Sequence, residues 1–399
     1  MRLDATARIR HFLFRMEVVI LANAPEALIE LCGVSLLERI LRILARQHFT
    51  GATIISTTPE EIRGATEPPS WARASLITRV VRRDKFQAGG RMLFLPANIY
   101  CDARLIRALA EHDGEGALVD SDFIPGAAVI DDGDFEAVPA RVREGRIAII
   151  DAAHVPSYVI GMRRELKPRC FAVLPNDRKA MRLVLDTGQP RSLDLPGIIQ
   201  SPIETFIMRW LCRTSITPNQ ITAFGVLVSL GATGLFAGGH LWYGMIPALA
   251  IGVIDGLDGK QARIKIETTE AGEWEHTVDY LTEASWWAAL AVYFQRSGQL
   301  PNAWLWFGVI MAADAIDRLA KRAAKKRIGR LLDDYSPFDR FVRLIGARRD
   351  VYLWTLGIGL ALGVAASTYR LCAIWGMITA GVHVLRAGMI LAGRRITPH

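Results

Sequence analysis

Asp255-Gly-Leu-Asp258-Gly259-Lys-Gln-Ala262-Arg263, followed by Gly272, Glu275, Asp279 and Glu283, is the stretch on which the fold and chemistry of this chain turn. Asp255 and Asp258 are three residues apart, and Glu275, Asp279 and Glu283 recur every four, so each set lines one face of a helix. Carboxylates are costly beside hydrocarbon, yet this cluster lies where two strongly apolar segments meet. Acids in such a place are candidates for function. Two helices that present carboxylates to each other form the hard, all-oxygen donor set that suits Mg²⁺, Mn²⁺ or Ca²⁺ bound to phosphates. The plainer alternative is a set of helix-end carboxylates solvated at the interface. It gives no reason for Gly259, Ala262 and Arg263 at their positions.

Working outward, the chain has 399 residues, of which 51% are hydrophobic, and a mean hydropathy of +0.22, too apolar for an ordinary soluble protein of this length. Apolar runs near 217–238, 241–258, 275–294, 302–320, 351–368 and 371–393 predict six transmembrane helices, each close to the ~20 residues a bilayer crossing takes. Loops near 260–274 and 321–350 collect Lys260, Arg263, Lys265, Lys321, Arg322, Lys325, Lys326, Arg327, Arg348 and Arg349, and the tail adds Arg394 and Arg395. The opposite connections, around Gly239, Ser297 and Tyr369, are short and nearly uncharged. Positive-inside reasoning therefore puts both termini and the acidic cluster on the cytoplasmic side of the cell (inner) membrane. The net charge of +8 follows from these loops, so topology and anionic headgroups account for it without a nucleic-acid partner. Lys260 and Lys265 read as ordinary cytoplasmic-side charges. Residues 198–211 have helical apolar spacing with Trp210 at the headgroup level, which predicts an interfacial amphipathic helix. Thr217-Pro218 then marks the start of the first span.

The first 185 or so residues follow another rhythm. Short β-branched runs at Val18–Ala22, Thr53–Thr57, Met92–Pro96 and Ala117–Asp120 alternate with helical stretches such as Ser35–Arg46. That alternation predicts an α/β domain with a mostly parallel sheet. Residues 186–198 have the composition of a linker. The expected division is thus a cytoplasmic domain at 1–185, a linker at 186–198 and an all-α membrane domain at 199–399. Five scattered cysteines show no metal spacing and suit a reducing cytosol, and eight histidines form no zinc motif.

Asp-x2-Asp-Gly-x2-Ala-Arg followed by Gly and two further acids resembles the signature of the CDP-alcohol phosphatidyltransferases. These polytopic membrane enzymes displace CMP from a CDP-linked alcohol with a second alcohol. Residues 214–222 resemble the start of that family's first span, so the likeness covers about 198–393. The first half of the signature, Asp255 to Arg263, is intact, and the second half departs from it. With eight residues after Arg263 the glycine is Gly272, and His276 and Tyr280 fall at the two acidic positions. With seven, Ala271 takes the glycine's place and Glu275 and Asp279 are the acids, which preserves the acidic pair and its spacing. In that register Glu275 stands where the family has Asp.

The resemblance implies Asp255, Asp258, Glu275 and Asp279 as ligands of two Mg²⁺ or Mn²⁺ ions, with Asp279 a ligand, the general base toward the incoming hydroxyl, or both. It implies Asp255, Gly259, Ala262, Arg263 and Gly272 as nucleotide contacts, Arg263 pairing with a phosphate, holding the carboxylates or serving as an interfacial anchor. Lys321, Arg322, Arg348 and Arg349 lie on the same side. They either bind an acceptor's phosphate or act as positive-inside anchors. Asp314 and Asp317 have an open role, including pairing with Arg318.

The first domain resembles, in arrangement, the GT-A-like sugar-nucleotide nucleotidyltransferases and cytidylyltransferases. Val18 to Pro25 occupies the place of their nucleotide loop, and Cys32 to Glu38 matches the helix start that follows. No Gly-rich loop follows Ala22, no Lys stands at 24–27, and Asn98 sits where the family has a metal-binding Asp. A domain that has lost that catalysis is expected. Fused to a six-span transferase, it resembles the inositol-phosphate cytidylyltransferase and di-inositol-phosphate-phosphate synthase arrangement. The expected function is metal-dependent transfer of a phosphoryl-alcohol group from CDP-diacylglycerol or a CDP-polyol to a polyol phosphate or lipid acceptor, with release of CMP. Phospholipid synthesis by a homodimer is the expected setting. The alternative is a non-catalytic membrane scaffold or nucleotide-binding regulator of the same fold.

Overall fold

The computed structural model describes residues 16–87, 89–119, 125–267 and 272–393, with backbone alone at 125 and 272–276. Seven strands of the N-terminal part form one sheet: β1 (Glu17–Leu21), β2 (Gly51–Ser56), β3 (Ile77–Arg82), β4 (Met92–Pro96), β5 (Gly116–Val119), β6 (Pro125–Ile130) and β7 (Ala148–Ile149). Their order is β7-β5-β6-β4-β1-β2-β3. β1 runs parallel to both β2 and β4, β2 parallel to β3, and β6 antiparallel to both of its neighbours. The central β1 is a β-branched run buried on both faces at Val18, Val19 and Ile20, as a strand covered by helices on each side has to be. The edge strand β3, with alternating Ile77-Thr-Arg-Val-Val-Arg82, escaped the reading of apolar runs because it is barely buried.

Helices α1 (Leu36–Arg46), α2 (Pro59–Thr66), α3 (Ala103–Ala110) and α4 (Val138–Arg143) accompany the sheet. Ser35 begins α1 by accepting a hydrogen bond from the Glu38 amide at 3.2 Å, and Leu37, Ile40, Leu41 and Leu44 bury its apolar face in the core under the sheet.

The remainder is mostly helical: α5 (Arg178–Gly188), α6 (Leu195–Leu211), α7 (Pro218–Ala237), α8 (Leu241–Lys265), α9 (Gly272–Arg296), α10 (Ala303–Ile328), α11 (Pro337–Ile345), α12 (Arg349–Ala361) and α13 (Ala365–Leu391). Thr217 and Gln220 form a reciprocal cap at the start of α7, with Pro218 at its first position. Helices form at all six places where spans are predicted. Among the described residues three of them, α7, α8 and α13, are long and apolar enough to cross a membrane. α9 and α10 carry Asp279, Glu283, Asp314 and Asp317 inside their apolar runs. α12 has 13 residues, about 20 Å of helix against the ~30 Å hydrocarbon core.

These helices pack around Trp286, Trp287, Phe294, Phe236 and Tyr369. The buried polar ends are satisfied: Trp286 Nε1 donates to the Ser229 carbonyl at 2.9 Å and Tyr369 Oη to the Trp287 carbonyl at 2.9 Å. α6 turns Gln200, Glu204 and Met208 inward and leaves Ile199, Ile203, Phe206 and Trp210 on its outer face.

Candidate active site

α8 delivers Asp255 to a cavity of about 380 Å³, and α9 delivers Asp279, Tyr280 and Glu283 to the same cavity. Asp314, Asp317, Arg318, Lys321 and Arg322 of α10 line it too, with Asp194 and, from the start of α12, Arg348, Arg349 and Asp350. Asp255 Oδ2 accepts from Arg349 Nη2 at 2.7 Å, and Arg349 Nε also donates to Asp350 at 3.3 Å. Asp258, one turn on, is buried against α7: Thr222 Oγ1 donates to it at 2.8 Å and the Gly259 amide at 2.5 Å. Arg263 turns elsewhere. Its Nε donates to the Gly188 carbonyl at 2.9 Å, and it lines a second cavity of about 420 Å³ with Arg39, Tyr100, Asp102 and Arg104. Gly259 makes room for it, since a Cβ there would stand 3.2 Å from Arg263 Nη1. Ala262 is half-buried on the same helix. The side chains of Gly272, Glu275 and His276, and all of Ala271, lie outside the described residues.

Among the described residues no three of His, Cys, Asp and Glu stand close enough to hold a metal ion. The chemistry of the wall nonetheless fits hard divalent cations. Its seven carboxylates face five cationic side chains, a formal excess of two negative charges, and every donor is oxygen. Arg349 holds positive charge against Asp255, where a cation could share it. Lys321, Arg322, Arg348 and Arg349, the four cations read from sequence as acceptor contacts or anchors, all line this one cavity. Lys321 pairs with Asp317 at 2.9 Å and Asp333 at 3.1 Å, and Arg348 stands 3.7 Å from Asp333. Burial pushes the Asp333 carboxyl up, but Lys321 and then Arg348 outweigh it and hold it below the usual range. Asp317 pairs with Lys321 and His383, whereas Arg318 takes Asp314 at 2.6 Å.

Three features of the surroundings escaped sequence reading. Lys260 is buried, not a free loop charge, and bonds Glu204 of α6 at 2.5 Å. Burial pushes the Glu204 carboxyl up while Lys260 pulls it down, and the net shift is upward. Lys265 is likewise buried and donates to the Thr214 carbonyl at 2.6 Å. Third, α1 of the N-terminal α/β part clasps the end of α8. Arg39 donates to the carbonyls of Ile264 at 2.7 Å and Leu31 at 2.9 Å, and Arg42 to the Lys265 carbonyl at 2.7 Å and to Glu267 at 2.8 Å. Helix-end carbonyls lack partners within their own helix, and these two arginines supply them. Arg39 and Arg42 share α1 with Glu38 and Arg46, so no local pattern marks them as partners of α8.

Residues 215–330 match the family model of CDP-alcohol phosphatidyltransferase. The chain carries a CDP-alcohol phosphatidyltransferase domain. It is an enzyme of that class. With three helices able to cross a bilayer, it is also a membrane protein. The matched phosphatidyltransferase segment contains Asp255 to Arg263, Glu275, Asp279, Lys321 and Arg322, and ends before Arg348. No curated protein matches the chain. Among solved structures it is similar to the Mycobacterium tuberculosis phosphatidylinositol phosphate synthase with CDP-DAG bound, at 19% identity over 51% of this chain and 100% of that one, with a TM-score of 0.39. It is also similar to HddC from Yersinia pseudotuberculosis, at 13% identity over 30% of this chain and 74% of that one, with a TM-score of 0.21.

Proposed function

We propose that the enzyme moves a phosphoryl-alcohol group from a CDP-alcohol to the hydroxyl of a second alcohol, releasing CMP, in phospholipid synthesis. The observation that carries this reading is the meeting, in one cavity, of Asp255 from the signature helix and Asp279 from the facing helix with the cations of α10 and α12. Asp255, Asp258, Glu275 and Asp279 are the residues that would hold Mg²⁺ or Mn²⁺, which when bound offsets the negative charge on the two phosphates. Asp279 accepts the proton of the incoming hydroxyl. Gly259, Ala262 and Arg263 would meet the nucleotide only if Arg263, which fills the space beside Gly259, swung from the Gly188 carbonyl toward it. Lys321, Arg322, Arg348 and Arg349 orient a phosphorylated acceptor, to which guanidinium forks are well matched.

In this reading residues 199–399 cross the membrane six times, with the site and both termini on the cytoplasmic side, in keeping with the positive loops. Residues 1–185 form a nucleotidyltransferase-like domain without that catalysis, joined through 186–198, in keeping with a mostly parallel sheet whose first strand is followed by no Gly-rich loop. The test pairs CDP-diacylglycerol and a set of CDP-polyols with glycerol phosphate, inositol phosphate and lipid acceptors, using the full chain in bilayers. One pair should yield CMP and a phosphodiester in equal amounts. If every pair is inert while CDP still binds, the chain acts as a nucleotide-binding scaffold instead.

A further inference from the structure

A separate cavity, of about 980 Å³, opens where the N-terminal α/β part, α5 and α6 meet. Arg178 and Arg182 of α5, Arg209 of α6 and Arg213 just beyond it line this cavity, and all four are exposed. Among the described residues none of the four takes part in an ion pair. Some arginines of the helical part are paired, Arg343 with Asp194, Arg349 with Asp255 and Arg386 with Asp339, and what sets these four apart is that they converge on one cavity. Two acids share the lining, Glu30 and Asp177. The Asp177 carboxylate is occupied, accepting from the Lys179 and Ala180 amides at 2.8 and 3.0 Å as the cap of α5. The cavity therefore holds an excess of guanidinium groups whose natural complement is a phosphate.

Its place in the molecule names the source of that phosphate. Arg209 and Arg213 flank Trp210, which with Phe206 is exposed on the outer face of α6 (68% and 62%). α7, long and apolar enough to cross a bilayer, begins at Pro218, five residues after Arg213. An amphipathic helix with an outward aromatic face beside the start of a span lies in the headgroup layer, where arginine stems stay in apolar surroundings and their heads reach phosphate. We propose that this cavity binds the phosphate of an anionic lipid headgroup and so fastens the N-terminal α/β part to the membrane surface.

The site is distinct from the carboxylate cavity, so the test separates the two. Full-length protein is equilibrated in mixed micelles with equal phosphatidylglycerol and phosphatidylcholine, and retained lipids are counted by native mass spectrometry. The wild type should keep phosphatidylglycerol selectively. Arg178→Gln/Arg182→Gln and Arg209→Gln/Arg213→Gln should each weaken that retention by about tenfold or more, while Arg143→Gln/Arg146→Gln in the N-terminal α/β part leaves it intact. Two double variants on opposite walls guard against one that fails to fold. Unchanged retention in both overturns the proposal. So does competition by inorganic phosphate at a concentration comparable to that of the lipid, which would make the ligand a soluble anion.

Discussion

Asp279 and Asp255 reach the same cavity from two helices, but their surroundings differ. Asp255 is held by Arg349 at 2.7 Å, whereas Asp279 is the carboxylate assigned to the proton of the acceptor hydroxyl. Asp279→Asn keeps the shape and removes the base, so CMP release should fall by about 10²-fold or more, with KM for the donor changed much less, in steady-state kinetics. A second prediction concerns pH. Asp333 sits below the usual carboxylate range because Lys321 and Arg348 outweigh its burial. A depressed folded-state value means that its contribution to stability is present above about pH 4 and is lost as pH falls through the depressed value. Wild-type thermal unfolding should therefore lose ground on acidification in that window, and Asp333→Asn should show a flatter profile. At this scale local spacing made Asp255 and Asp279 legible as acids of facing segments, and both line the cavity, whereas Asp258 turns to Thr222 of α7. The partners of Asp255 and Lys260 were not legible, since Arg349 and Glu204 lie 94 and 56 residues away and no local pattern ties them.

The helix that bears the signature is positioned from two sides, and each side predicts a lesion. On one side α6 lays Gln200 and Glu204 onto Gly252 and Gly256 of α8. A Cβ at Gly256 would come within 2.5 Å of the Glu204 carboxyl carbon, so Gly256→Ala should destabilise the protein by about 1–3 kcal/mol, read as a lowered midpoint of thermal unfolding in micelles. On the other side Arg39 and Arg42 take the last carbonyls of α8. Arg39→Lys retains the charge but loses the fork, and should cost part of what Arg39→Gln costs, about 1–3 kcal/mol. The elements themselves were largely readable: α1 with its Ser35 cap, α7 with its Thr217-Pro218 start, and the central strands all stand where apolar periodicity puts them. The span count was less so. The acids that make the cavity also lower the apolar character of α9 and α10, and a break at 362–364 shortens α12.

At the scale of the molecule, the contact between α1 and the end of α8 ties the N-terminal α/β part to the transferase domain. Arg39→Gln/Arg42→Gln should then lower CMP release several-fold although neither residue touches the carboxylate cavity, and the deficit should appear at saturating donor. The sequence announced two architectures through composition, one alternating and one apolar, but gave no sign that the first braces the second, because buried arginines on α1 look like a solvated face until α8 is set against them. The most direct measurement of the central claim is CMP release by the full-length protein in bilayers, with Mg²⁺ or Mn²⁺ and then with chelator, for wild type and Asp279→Asn side by side. Release that requires the metal and disappears in Asp279→Asn is the predicted result. Release that persists in Asp279→Asn, or is indifferent to chelator, would contradict the assignment of Asp279 and the metal-ligand set together.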